Sequence, residues 1–177
     1  MASVLKVDTI KSLAGNEAIT ISESGVPHLN IPLFKAFLNA TQTGVATGAL
    51  TKVNVNEVVF DTNWDGTNNS SVGFNETNYR YIAPVNGYYQ FDGVIRCSGT
   101  SLTVAAAYIY VDGVIAHTGN VIRGSGVMHP VVSTITYLTA GQYAELYGYV
   151  EVASGGSFAY ASDVATSIFS GFLVRGA

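Results

Sequence analysis

The chain has 177 residues, of which 48% are hydrophobic and only 11% charged, with a net charge of −4 at pH 7. With a pI near 5.2 and eight Lys and Arg residues scattered along its length, it lacks the clustered basic face that nucleic-acid phosphates demand. Its longest apolar run, VAAAYIYV at 104–111, falls far short of the ~20 residues a membrane-spanning helix needs, and its start carries no apolar h-region of a signal peptide, so neither is expected.

Residues 1–32 differ in texture from the rest. SVLKVDTI and EAITISESG are short β-prone runs separated by the turn-forming LAGN, and VPHLNIP, bracketed by two prolines, reads as an extended linker. The segment is too small to bury a core alone; three copies wound together would do so, as would docking on another protein. From Leu33 onward, β-prone runs follow one another between Gly, Asn, Asp and Pro punctuation. Strands are expected near 33–40, 50–54, 57–62, 79–84, 87–98, 102–112, 114–121, 130–138, 142–152 and 166–174. No stretch carries a sustained helical apolar period, so the fold class is all-β, a sandwich or barrel.

Between two of these strands, FDTNWDGTNNSSVGF (60–74) copies the opening of a helix–loop–helix calcium loop, with Asp61, Asn63, Asp65 and Gly66 in register. The twelfth position is Val72, where that motif requires a bidentate glutamate, and the flanks read as strands. The stretch is therefore taken as a long Asn/Gly/Ser/Thr connection whose side chains bond their own backbone. A looser calcium site using Asp61 or Asp65 stays open; no metal or cofactor is assigned.

Further along, PVNG, VDGV and TAGQ mark tight links. If VDGV is only a bend, eight alternating strands put 63–78 at the stalk end and 119–129 with 153–163 at the tip; if it opens a true extra strand, 63–78 moves to the tip. The bend is adopted. YAELYGYVEV (143–152) alternates cleanly, with Ala144, Leu146, Gly148, Val150 and Val152 on one face and three tyrosines with two glutamates on the other. VAAAYIYV and TSIFSGFLV are apolar on both faces, which calls for a further cover over one sheet. Copies of the same chain are the natural cover for a sequence with a mean hydropathy of +0.30.

Chemistry-bearing motifs are missing. Cys97 is the lone cysteine, read as a buried apolar residue of a strand. His28, His117 and His129 lie without ligand spacing, and neither a G-x-S-x-G turn nor a phosphate-cradling GKS or GKT occurs. A carboxylate pair for sugar hydrolysis would have to be drawn from twelve acids, several sitting in turns. The expectation is a protein that is not an enzyme.

The order of the runs FKAFLN, VVFDT, Y-x-APVNGYYQF, AYIYVDG, YLTAGQYAEL and SIFSGFLV resembles the complement C1q-like and tumour-necrosis-factor-like jelly roll over about residues 33–175. That resemblance implies a two-sheet antiparallel Greek-key jelly roll assembled as a homotrimer, with the sheet that holds the first strand, the last strand and the strand ending at the PVNG turn facing the threefold axis. Carried over, Phe34, Phe37, Tyr79, Tyr81, Phe169 and Phe172 become core or axial residues, with alternation deciding which are which. LKVDTIKSLAGNEAITISESG in turn is similar to segments that begin bacteriophage tail-fibre and related virion proteins, and no collagen-like stalk is present.

These resemblances imply a trimeric virion fibre or spike: residues 1–32 attach it to other tail, neck or baseplate proteins, and the 33–177 head meets a host-surface receptor, glycan or protein, by avidity. The particle would be assembled in the host cytoplasm and act outside it. Receptor-facing candidates are Trp64, Asn120, Arg123, His129, Ser157 and Tyr160, in connections rich in hydrogen-bonding groups. Trp64 could equally plug the sandwich edge. A purely structural connector without host contact, and a secreted C1q-domain lectin-like protein, are the competing readings.

Overall fold

The computed structural model describes residues 9–11, 17–21, 27–29, 31–63, 66–162 and 166–177. The chain divides into two compact units, Met1–Ile31 and Pro32–Ala177. In the first, β1 (Thr9–Lys11), β2 (Glu17–Ile21) and β3 (Pro27–Leu29) form an antiparallel sheet in that order. VPHL was expected as linker, yet Pro27 opens a strand opposite Ile21 and Leu29 pairs Ile19. A proline lacking its N–H is tolerated at that first strand position.

The second unit is a sandwich of two antiparallel sheets. Its strands are β4 (Leu33–Phe37), β5 (Leu50–Lys52), β6 (Glu57–Asp61), β7 (Gly73–Asn75), β8 (Arg80–Ile82), β9 (Gly87–Val94), β10 (Cys97–Val111), β11 (Val114–Arg123), β12 (Val131–Leu138), β13 (Tyr143–Tyr160) and β14 (Ile168–Gly176). One sheet runs β12-β9-β14-β4-β6; the other runs β11-β10-β13-β8-β7, with β5 also paired to β13. Strands adjacent in a sheet but distant in sequence, such as β14 between β9 and β4, give the jelly-roll connectivity.

Alternation fixes each sheet's inner face. In β4, Phe34 and Ala36 point inward, and in β9 Tyr89, Phe91 and Gly93 do so. Rings from both sheets meet at the centre: Phe34 stacks on Tyr81 with centroids 4.3 Å apart, and Phe169 meets Phe34 edge-on at 5.1 Å. Gly171 makes this cluster fit, because a Cβ there would stand 2.7 Å from Cδ1 of Phe91 and 2.9 Å from Cε1 of Phe34.

VDGV is a true hairpin, not the expected bend. Asp112 and Gly113 both take left-handed backbone, at φ 47° and 78°, as a two-residue turn between paired Val111 and Val114 requires. The Asp112 carboxylate also accepts the amide of Tyr143 at 3.0 Å and the Gln142 side chain at 2.7 Å, tying the turn to the start of β13. Even so, the 62–72 connection leaves from the end where the sandwich begins, since the Thr62 amide donates to the carbonyl of Leu33. The reason is that β6 runs antiparallel to β4 and so returns the chain to that end before the later hairpin is reached.

The segment 153–163 was expected as a loop. Instead β13 continues to Tyr160, pairing with Cys97–Thr100 of β10, and only 153–156 bulges outward opposite Ser101.

Candidate functional site

The five-stranded sheet turns an apolar surface outward. Register and alternation build it in rows. The first runs Val131, Val94, Ile168, Phe37; the third runs Ile135, Gln90, Phe172, Leu33; the fourth sets Tyr137 beside Tyr88. Ile135 is 57% exposed and Phe172 46%, while Phe60, Tyr88, Val131 and Tyr137 are exposed to similar extents. The rings of Tyr88 and Tyr137 meet edge-on at 5.3 Å, preorganising that corner. Exposed apolar side chains gathered on one face in this way mark an interaction surface.

Between the first and third rows lies a polar one: Ser133, Asp92, Ser170, Lys35. The Gln90 amide nitrogen bridges Asp92 Oδ1 at 3.0 Å and Ser133 Oγ at 2.8 Å. Two shallow hollows share Lys35, Asp92 and Ser170 in their walls. One, of about 470 Å³, continues to Val94, Val131 and Ile168. The other, of about 350 Å³, continues to Leu33, Phe60 and Phe172.

The opposite outer face, on the six-stranded sheet, is engaged within itself. Lys52 Nζ pairs with Glu145 Oε1 at 2.5 Å, Tyr110 stacks on Tyr147 at 4.0 Å, the Arg80 guanidinium covers the Tyr143 ring at 4.3 Å, and the Tyr149 hydroxyl donates to Glu151. Its polar groups are thus largely satisfied by one another. Leu50, Val114, Ile115 and Val121 of this sheet are exposed too, but they lie on β5 and the edge strand β11, whereas the five-stranded sheet carries its apolar side chains in rows across several strands.

The strand before the PVNG turn, β8, was expected in the axial sheet but pairs in the six-stranded one, so Tyr81 has no axial position; the phenylalanine candidates on β4 and β14 separate by strand parity. Phe34, Tyr81 and Phe169 are fully buried in the sandwich. Phe37, half-buried, and Phe172 stand on the outward face of the five-stranded sheet. Tyr79 belongs to neither: it sits at φ 54° in the turn before β8 and lines a polar hollow of about 290 Å³ with Leu38, Gln42 and Asn54.

Of the receptor candidates, Arg123, His129 and Ser157 are exposed, towards the end of the sandwich remote from Leu33. Asn120 is exposed as well, but its side-chain oxygen accepts the Val131 amide at 2.6 Å, pinning β11 to β12. Tyr160 is a correction. It is 0% exposed, packed among Cys97, Val150 and their neighbours, because the strand it ends faces inward there. Trp64, like Asp65 of the calcium-like stretch, lies outside the described residues. Asp61 is committed to its own loop, its two carboxylate oxygens accepting the amides of Asn63 at 2.8 Å and Phe74 at 2.5 Å.

Sequence reasoning missed the polar row altogether. Lys35 and Asp92 are 57 positions apart in the chain, and only the β9-β14-β4 order, invisible in local patterning, sets them two strands apart. Cys97 is buried, and that burial pushes its thiol up to about 12.

Comparison with solved structures agrees with this architecture. The globular domain of zebrafish complement 1qA superposes with a TM-score of 0.57 at 15% identity, over 83% of this chain and 99% of that one. Murine APRIL at pH 5.0 gives 0.54 at 6% identity over 81% and 99%, and at pH 8.0 gives 0.54 at 10% identity over the same shares. At such identities the likeness is one of fold: a C1q/TNF-like jelly roll. No family model matches the sequence, and no curated protein matches it.

Proposed function

We propose that this chain is a homotrimeric binding head, in which the outward face of the five-stranded sheet packs against two identical neighbours. The observation that carries the reading is the row-wise apolar surface of Ile135, Phe172, Tyr88, Tyr137, Val131 and Phe60, which a lone subunit leaves in water. Burying it at roughly 25 cal/mol per Å² favours association by several kcal/mol per subunit before association entropy is counted. The fold shared with complement and APRIL domains supports a binding role over a catalytic one. So does the only thiol, Cys97, which is protonated and buried.

The finer reading is a bacteriophage tail fibre or spike, a virion component that works outside the cell after lysis. It draws on the tail-fibre likeness of LKVDTIKSLAGNEAITISESG (5–25) and on Met1–Ile31 forming a unit of its own. That unit would attach the head to tail, neck or baseplate proteins. Arg123, His129 and Ser157 would meet a host-surface glycan or protein, with affinity multiplied by three copies. Binding of the purified chain to candidate host cells and surface glycans tests this, with Arg123→Ala/His129→Ala as control; retained binding in that variant contradicts the assignment of the contact end.

A connector role without host contact is the second reading. It is favoured by one observation: Asn120 and Tyr160, chosen for contact, are engaged in holding the fold together. Absence of any cell or glycan binding at avid concentrations would decide for it.

A further inference from the structure

We infer that Lys35 and Asp92 form an ion pair between subunits, and that this pair fixes the register of the assembled face. The inference rests on the assembly proposed above and deepens it.

The polar row is out of place on a surface built to be buried. It runs through the middle of the apolar patch, between Val131–Val94–Ile168–Phe37 and Ile135–Gln90–Phe172–Leu33, where a cover would remove it from water. Burying an unpaired charge in this way is strongly unfavourable, so the face can be covered favourably only if each charge meets an opposite one. Within the subunit this does not happen: Lys35 and Asp92 flank β14 on either side, so their backbones stand about 10 Å apart. Among the described residues the ion pair within 4.0 Å is Lys52–Glu145, on the other sheet.

The two charges are arranged for a second copy of this chain. One lies on β4, toward the β6 edge; the other lies on β9, toward the β12 edge. A rotational assembly sets the β4 side of one subunit against the β9 side of the next, a heterologous contact in which one patch meets a different one. The cation of each copy then faces the anion of its neighbour, once per interface. The two hollows that share Lys35, Asp92 and Ser170 leave room for a neighbour's side chain beside both charges. Gln90 meanwhile holds the carboxylate in place through its bond to Oδ1. A slipped register would leave lysine against Val94 or Phe172, so the pair contributes specificity more than affinity.

Sedimentation velocity across a dilution series tests the pair, on the full chain, with Lys35→Glu, Asp92→Lys, Lys35→Met and the swap Lys35→Glu/Asp92→Lys. Far-UV circular dichroism verifies that each variant is folded. The expected result is a wild-type trimer, a rise of at least about tenfold in the dissociation constant for each single variant, and recovery to within a few-fold in the swap. Lys35→Met introduces no repulsion and should weaken assembly by leaving Asp92 unpaired. A wild-type trimer whose single variants assemble unchanged, or whose swap is no better than either single, overturns the pair while leaving the assembly intact. A folded wild-type monomer instead overturns the assembly itself. A wild-type dimer whose swap recovers supports the pair but contradicts threefold closure.

Discussion

Tyr160 lies across Gly148. A Cβ on that glycine would stand 2.5 Å from the phenol oxygen and 2.7 Å from Cζ, so the ring occupies the space that any other residue at 148 would need. Among the described residues, the hydroxyl it buries has no hydrogen-bond partner. Gly148→Ala should therefore lower stability by about 1–3 kcal/mol through overpacking. Tyr160→Phe, which removes an unsatisfied polar atom and keeps the ring, should leave stability unchanged or raise it. Urea unfolding midpoints distinguish the two.

Alkaline pH should unfold the protein through its buried acids. Burial raises the Cys97 thiol from 9.0 to about 12 and moves the phenols of Tyr81 and Tyr160 well above the ordinary tyrosine range. The folded state keeps these groups protonated while the unfolded chain ionises them, so their contribution is whole below about pH 9 and declines as pH rises toward 12. Tyrosinate absorbance followed alongside near-UV circular dichroism should reveal a late fraction of phenols titrating together with loss of tertiary signal. Smooth titration of all eleven tyrosines without unfolding would contradict this.

Lys52 and Glu145 are unequal partners: the glutamate side chain is 5% exposed and the lysine 29%. Lys52→Ala should cost about 2 kcal/mol, less than breaking a fully buried pair, because water reaches part of the site. Lys52→Met/Glu145→Leu should recover most of that loss. Thermal and urea denaturation of the three proteins, at matched concentration, give the comparison.

Asp61 closes the connection between β6 and β7 by accepting two backbone amides. It also crowds Gly73, whose hypothetical Cβ would meet its carboxylate and whose φ is +76°. Asp61→Ala should reduce stability by about 1–2 kcal/mol and speed proteolytic nicking within 62–72 several-fold. Added calcium should not slow nicking of the wild-type chain if the carboxylate serves the loop alone; calcium protection would revive an ion site at this stretch.

Much of the sandwich was legible because its signals are local. Alternation in 143–152, the PVNG and TAGQ turns and the β-branched runs each depend on neighbours in the chain, and the corresponding strands formed near their expected ranges. β7 was not legible: three residues, GFN, inside an Asn-rich stretch carry no pattern, and they pair only because β8 supplies an edge. The extension of β13 through ASGGS was hidden for the same reason, since glycine and serine read as loop until the long β10 lies alongside. Tyr160 was misassigned to the surface as a direct consequence. The outward apolar face was inferred from excess hydropathy, but its polar row arises from strand order, which a linear reading does not supply.

Sedimentation equilibrium of the wild-type chain at low micromolar concentration reads the assembly state itself. A single species of three times the 18.6 kDa chain mass is expected. A well-folded species at one chain mass, soluble and with Ile135 and Phe172 still open to water, would contradict that assembly.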